Sequence, residues 1–143
     1  MTDHGERTML RADLREDLSA IQAHIGHEMT GWAKDWSQFQ LPMHAHLMNR
    51  YGIPHGGIYA VLLDTVMGFS GCYTGDKDVI QLAMTLSMTT NFVGQPKGSI
   101  LIAEGTRIGG GRQTFFAEGR VIDDTGTLIA TGTGTFRYRA QAV

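Results

Sequence analysis

The chain has 143 residues, the length of one domain and enough for a hydrophobic core that needs no staples. Hydrophobic residues make up 42% and charged residues 18%, and the formal net charge of −2 excludes a basic footprint for nucleic acid. A lone cysteine, Cys72, excludes an internal disulfide and a cysteine-based metal cluster. The amino-terminal residues are polar and lack the apolar run of a leader, and no stretch is long and apolar enough to span a membrane. The expectation is a soluble, cytoplasmic protein forming a single domain over 1–143.

The first element is predicted as a helix over about 6–25. Leu10, Leu14, Leu18, Ile21 and Ile25 follow three-four spacing and form one apolar stripe, and Gly26 stops it. From 27 to 43 the pattern turns extended, with Phe39, Leu41 and Met43 alternating against polar neighbours, which predicts one or two strands. A loop over 46–54 leads to a helix over about 56–74. Ile58, Tyr59, Ala60, Val61, Leu62, Leu63, Val66, Met67 and Phe69 cover nearly every direction around its axis, the mark of a buried helix.

The remainder reads as strands. Ile80, Leu82, Met84, Leu86 and Met88 alternate with Gln81, Ala83, Thr85 and Ser87. Gln95-Pro96-Lys97-Gly98 is a turn, followed by strands over 100–108, 113–122 and 128–138, the last two joined by the turn Asp123-Asp124-Thr125-Gly126. The order predicts an α+β fold, an antiparallel sheet of five or six strands around one long central helix, with the last four strands as a meander.

Asp64 is the residue that points to chemistry. It is a carboxylate in the middle of the most apolar helix of the chain, where desolvation is costly without a partner. The helix opens on Pro54-His55-Gly56-Gly57, and a glycine turn at a helix N-terminus presents free N–H groups that can polarise a carbonyl. A structural partner for Asp64 and an ordinary tight turn at the glycines are the competing explanations. Eight residues separate Gly56 from Asp64, roughly 12 Å along a helix, whereas catalytic contact needs about 3 Å or one water more. The two residues of one chain therefore cannot act on one carbonyl. Two copies of the helix running antiparallel about a two-fold axis could bring Gly56 of one against Asp64 of the other.

The run Asn49-Arg50-Tyr51-Gly52-Ile53-Pro54-His55-Gly56-Gly57, followed by Leu63-Asp64-Thr65-Val66-Met67-Gly68, resembles the hot-dog-fold thioesterases of the phenylacetate-degradation type. Thr85, Asn91-Phe92, Pro96, Gly111 and Ala130-Thr131-Gly132-Thr133 extend the likeness, which covers about 27–139. The resemblance implies hydrolysis of an acyl-CoA thioester to free acid and CoA. It implies that the Gly56 backbone N–H polarises the carbonyl, that Asp64 activates water or attacks directly, and that Asn49 and His55 order the site. It places Gly57 and Thr85 at the substrate. It also implies no metal or redox cofactor and assembly as a homodimer at least, commonly a homotetramer made of two dimers. A hot-dog hydratase or dehydratase and a non-catalytic acyl-CoA-binding module are the alternative readings. Spaced histidines at His44 and His46 and at His24 and His27 lack carboxylate or cysteine company for a metal site. Cys72 reads as a packing residue, and Gly109-Gly110-Gly111 as a turn.

Overall fold

In the computed structural model of the protein, residues 10–140 are described. After a 3-10 turn at Ala12–Leu14 the order is α1 (Ala20–Ile25), β1 (Glu28–Ala33), β2 (Trp36–Pro42), a second 3-10 turn at Ala45–Leu47, α2 (Gly56–Ser70), β3 (Ala83–Phe92), β4 (Ile100–Gly110), β5 (Thr114–Asp123) and β6 (Leu128–Tyr138). The six strands form one antiparallel sheet in the order β1-β2-β4-β5-β6-β3. The sheet curls around α2, which is the predicted architecture.

What lets α2 lie so close to the sheet is a row of small residues. Ser37, Gly105, Gly119, Gly132 and Thr90 are register partners across β2, β4, β5, β6 and β3. They make a trough across the sheet, and the helix backbone enters it. A Cβ built on Gly105 would collide with the Val66 carbonyl and stand 2.8 Å from the Met67 nitrogen. The Ser37 hydroxyl donates to that same Val66 oxygen at 2.7 Å. On either side of the trough, Leu62, Leu63, Val66 and Met67 of α2 pack against Phe39, Leu41, Leu101, Phe115, Val121 and Phe136, all buried. Full burial of each such side chain is worth about 1.5–3 kcal/mol.

The structure corrects four details of the sequence reading. The helix expected over 6–25 is only Ala20–Ile25 among the described residues; 6–9 lie outside them. Ser19 caps it, its hydroxyl accepting from the Gln22 N–H at 3.2 Å, and Gly26 ends it in the left-handed conformation at φ 96°. Upstream, Leu14 is buried against Trp32 and Cys72, and residues 15–19 run without helix across the molecule. Leu18 and Ile21 of the supposed stripe stay exposed, so packing never rewarded a longer helix.

The central helix ends at Ser70, not near 74. Its last carbonyls are claimed from outside: Trp32 Nε1 donates to Phe69 O at 2.9 Å, and the Tyr138 hydroxyl donates to Gly71 O at 2.8 Å. The meander has three strands, not four. β3 crosses over to pair with β6, because β4 is taken up by β2. Within β3 the alternation breaks at an irregularity between Thr85 and Ser87. Met88 therefore packs on the core while Met84 and Leu86 are left exposed.

β3 is an edge strand with one unpaired side. No helix among the described residues is long and apolar enough to cross a membrane.

Candidate active site

α2 begins where the chain is braced most tightly. Asn49 Oδ1 accepts from the Tyr51 N–H at 2.9 Å and the Ile53 N–H at 3.4 Å, and the Asn49 N–H donates to Ile53 O at 2.7 Å. These bonds fold 49–53 into a compact loop, and His55 N–H then ties it to Leu47 O at 2.9 Å. Asn49 thus shapes the approach to the helix and is one loop removed from its first turn.

His55 is the N-cap of α2. Its Nδ1 accepts from the Gly57 N–H at 2.8 Å, so the imidazole proton sits on Nε2. The Ile58 N–H is taken by His55 O at 2.8 Å. Among the described residues nothing accepts from the Gly56 N–H, which remains as the open donor at the positive end of the helix dipole. Replacing His55 by alanine should remove the cap at a cost of about 1 kcal/mol, a fall in Tm of about 3 °C for a domain of this size. His55→Asn should keep the cap and most of the Tm; thermal melts of both variants, read at one protein concentration, check this.

Two turns further on, Asp64 is half-buried, not sealed. The Thr85 hydroxyl of β3 donates to Asp64 Oδ1 at 2.5 Å. That bond fixes the carboxylate and leaves Oδ2 free to accept a proton. Asp64 opens onto a cavity of about 290 Å³. One wall comes from the start of β3 and the residues before it, the other from residues within 16–22 and His27, and the floor from Thr65, Gly68 and Cys72. A roomier hollow of about 470 Å³ lies on the outer face of the sheet, among Glu104, Arg120, Thr131 and their neighbours, away from both Asp64 and the helix N-terminus.

The electrostatics of the cavity are acidic. Burial raises the Glu16 carboxyl, and burial with the nearby Glu16 pushes the Cys72 thiol up to about 12. Cys72 is therefore a thiol at neutral pH and no nucleophile.

The structure separates the predicted residues into two groups. Gly56, Gly57 and His55 meet at the N-terminus of α2, with Asn49 behind them; Asp64 and Thr85 meet two turns away. The sequence reading missed the cavity walls at Glu16, Gln22 and His27. They carry no motif, and they come from a segment read as a packing helix. It also missed Asp123, the fully buried carboxylate. Desolvation opposes its charge. Bonds from the Thr125 hydroxyl at 2.6 Å and the N–H groups of Lys97 at 2.6 Å, Gly98 at 2.8 Å and Thr127 at 3.0 Å prevail, and hold its pKa well below the carboxylate range. With every lone pair occupied, Asp123 pins two turns together and is not poised for chemistry.

Comparison with known proteins places the family and the fold. The sequence pattern of the thioesterase superfamily matches residues 51–130, the span that holds all of α2. The chain belongs to the thioesterase superfamily. Among curated relatives, a Haemophilus influenzae protein with a provisional esterase designation is 29% identical over 62 residues, 42% of this chain. That match spans less than half, 45%, of the relative's own length.

Solved structures of similar fold include a conserved protein of Pseudomonas aeruginosa, with a TM-score of 0.78, 26% identity and coverage of 90% of this chain and 98% of that one. A Bacillus halodurans protein solved with CoA gives a TM-score of 0.71 at 27% identity, over 86% of this chain and 78% of that one. The PaaI protein of the E. coli phenylacetic acid degradation operon gives 0.75 at 16% identity over 87% of each chain, a likeness of fold. The thioesterase assignment fits the hot-dog architecture that the resemblance implied.

Proposed function

We propose that this thioesterase-superfamily chain hydrolyses an acyl-CoA thioester, with Asp64 as general base for water and the Gly56 N–H as the donor that polarises the thioester carbonyl, each site being shared by two copies. A thioester is already activated, so a base, a water and an oxyanion donor suffice. The carrying observation is the Asp64–Thr85 pair at the mouth of a cavity: a carboxylate fixed through one oxygen and free at the other. The Bacillus halodurans relative solved with CoA supports the same ligand here.

The path of β3 supports the sharing. Its Thr85 end lies at Asp64, and its Phe92 end lies at Gly56, where a Cβ would come 3.3 Å from the Phe92 ring. β3 therefore runs antiparallel to α2. The strand presents an unpaired edge with Leu86 56% and Phe92 61% exposed, a surface that calls for a partner. If a second β3 pairs antiparallel about a two-fold axis near Met88, the Thr85 end of one strand falls opposite the Phe92 end of the other. Asp64 of one copy then stands beside Gly56 of its partner, which removes the roughly 12 Å that separates the two within one chain. On this reading Thr85 orients the base, His55 aims the helix N-terminus, Gly57 leaves room for the substrate and Asn49 braces the loop.

The test is thiol release from short, long and aryl acyl-CoAs. Turnover of at least one of them is the expected result. Binding of acyl-CoA with no thiol release from any would replace hydrolysis by a binding role.

A further inference from the structure

The cavity beside Asp64 has a second polar group in its wall. Asp64 and Gly68 are one turn apart on α2, and Cys72 follows just past its end, so the cavity runs along the C-terminal half of the helix for roughly 10 Å. Gly68 is its floor. A Cβ there would meet nothing nearer than the Phe136 ring at 3.7 Å, an ordinary contact. Glycine inside a helix is less stable than alanine, and packing at this position does not require it. What glycine supplies here is open space beside the carboxylate.

His27 stands in the cavity wall. The residue is 2% exposed and packs on Phe39, with ring centroids 5.7 Å apart. Its Nδ1 is sealed from solvent and has no hydrogen-bond partner. Buried polar atoms are nearly always paired, so an orphan asks for an explanation. Because His27 also lines the cavity, Nε2 is the nitrogen left to face it. Burial lowers the imidazole pKa, so the ring is neutral near pH 7 and has one proton to place. On Nδ1 that proton would have no acceptor; on Nε2 it points into space that a ligand can fill. The cavity lining contains Glu16 and Asp17 but no lysine or arginine, so an anionic acyl end would find no counter-charge.

We propose that His27 recognises the distal end of the acyl group: Nε2 donates a hydrogen bond to an uncharged oxygen, hydroxyl or carbonyl, on an acyl group that lies over Gly68. The proposal rests on the thioesterase reading of Asp64 and extends it to a substrate class.

The test uses short to medium straight-chain acyl-CoAs, each with and without a terminal hydroxyl. Two readouts are taken: kcat/KM for thiol release by the otherwise native protein, and Kd for the Asp64→Asn protein, where binding is scored without turnover. At the chain length that reaches His27, the hydroxylated member should be favoured about tenfold, the scale of one well-made hydrogen bond. His27→Phe keeps the ring against Phe39 and removes both nitrogens; it should bring the ratio to about one. His27→Gln restores an N–H donor and should recover part of the preference. Gly68→Ala should move the best substrate to shorter acyl groups while raising Tm, which separates a filled groove from a damaged fold. A ratio that His27→Phe leaves unchanged in both readouts overturns the proposal. Absence of thiol release from every substrate would strike the hydrolytic reading instead, and the Kd ratio would still decide the role of His27.

Discussion

Co-refolding equal amounts of the Asp64→Asn and Gly56→Pro proteins is expected to restore thioester hydrolysis that neither variant shows alone. The amide introduced by Asp64→Asn would keep the shape of the carboxylate and the bond from Thr85 but could not take a proton from water. Loss of a general base costs typically 10²- to 10⁴-fold. Proline at the Gly56 position removes the N–H itself. That position is the first residue of α2, where proline is tolerated because its missing donor has no helical partner. His55, at φ −59° and ψ 138°, already has the extended backbone that a following proline requires. The new ring meets Phe92, an exposed side chain that can shift. Both variants should therefore fold and be inactive.

In a mixed dimer of the proposed kind, one site combines the intact Asp64 of one chain with the intact Gly56 of the other. Half of the dimers are mixed, and each has one good site of two, so about a quarter of native turnover should return. Thiol release before and after co-refolding reads the result directly. If mixing restores nothing while both variants remain folded and associated, Asp64 and Gly56 do not serve one shared site.

The second large effect is on stability. Gly105→Ala should destabilise the protein by about 3 kcal/mol or more, the upper range for an overpacked core. The added methyl would collide with the Val66 carbonyl and the Met67 nitrogen, which are backbone atoms that no rotamer change can move aside. Relief requires lifting α2 off β4, and that opens contacts along the whole trough. Gly109→Ala, in the same strand but with nothing within 4 Å of its Cβ, is the control and should change stability by less than about 0.5 kcal/mol. Urea unfolding of both at one protein concentration makes the comparison; equal midpoints would mean that the close approach of helix and sheet does not carry the fold. The concentration must be matched because association, where it occurs, stabilises by mass action.

These two experiments rest on residues of very different visibility. Asp64 and the His-Gly-Gly turn stood out because their surroundings are uniform: one acid in an apolar helix, and glycines where a helix begins. Local periodicity likewise located α2 and the last three strands to within a few residues. What periodicity could not show was set by partners distant in the chain. Strand order is one case, since nothing local tells β3 to bypass β4 and pair with β6. The glycine trough is another: Gly105, Gly119 and Gly132 read as breaks in strands until register aligns them under the helix. The cavity wall is a third. Glu16, Gln22 and His27 follow the helical spacing of a packing segment only loosely. Their role depends on where Ser19 starts α1 and on the burial of Leu14. Thr85 was named from the family likeness, and its bond to Asp64 depends on the irregular register of β3.

The trough has a consequence for how such proteins diverge. It seats α2 by backbone contact on one side and leaves the opposite side, with Asp64, Thr65 and Gly68, to border the cavity. On the proposed function, stability and selectivity are thereby written on different faces of one helix. Substitutions on the cavity face can alter what is accepted without disturbing how the helix is held. A lineage built this way can change widely in sequence while its backbone stands still, and neighbours of 16–27% identity superpose at TM-scores of 0.71–0.78.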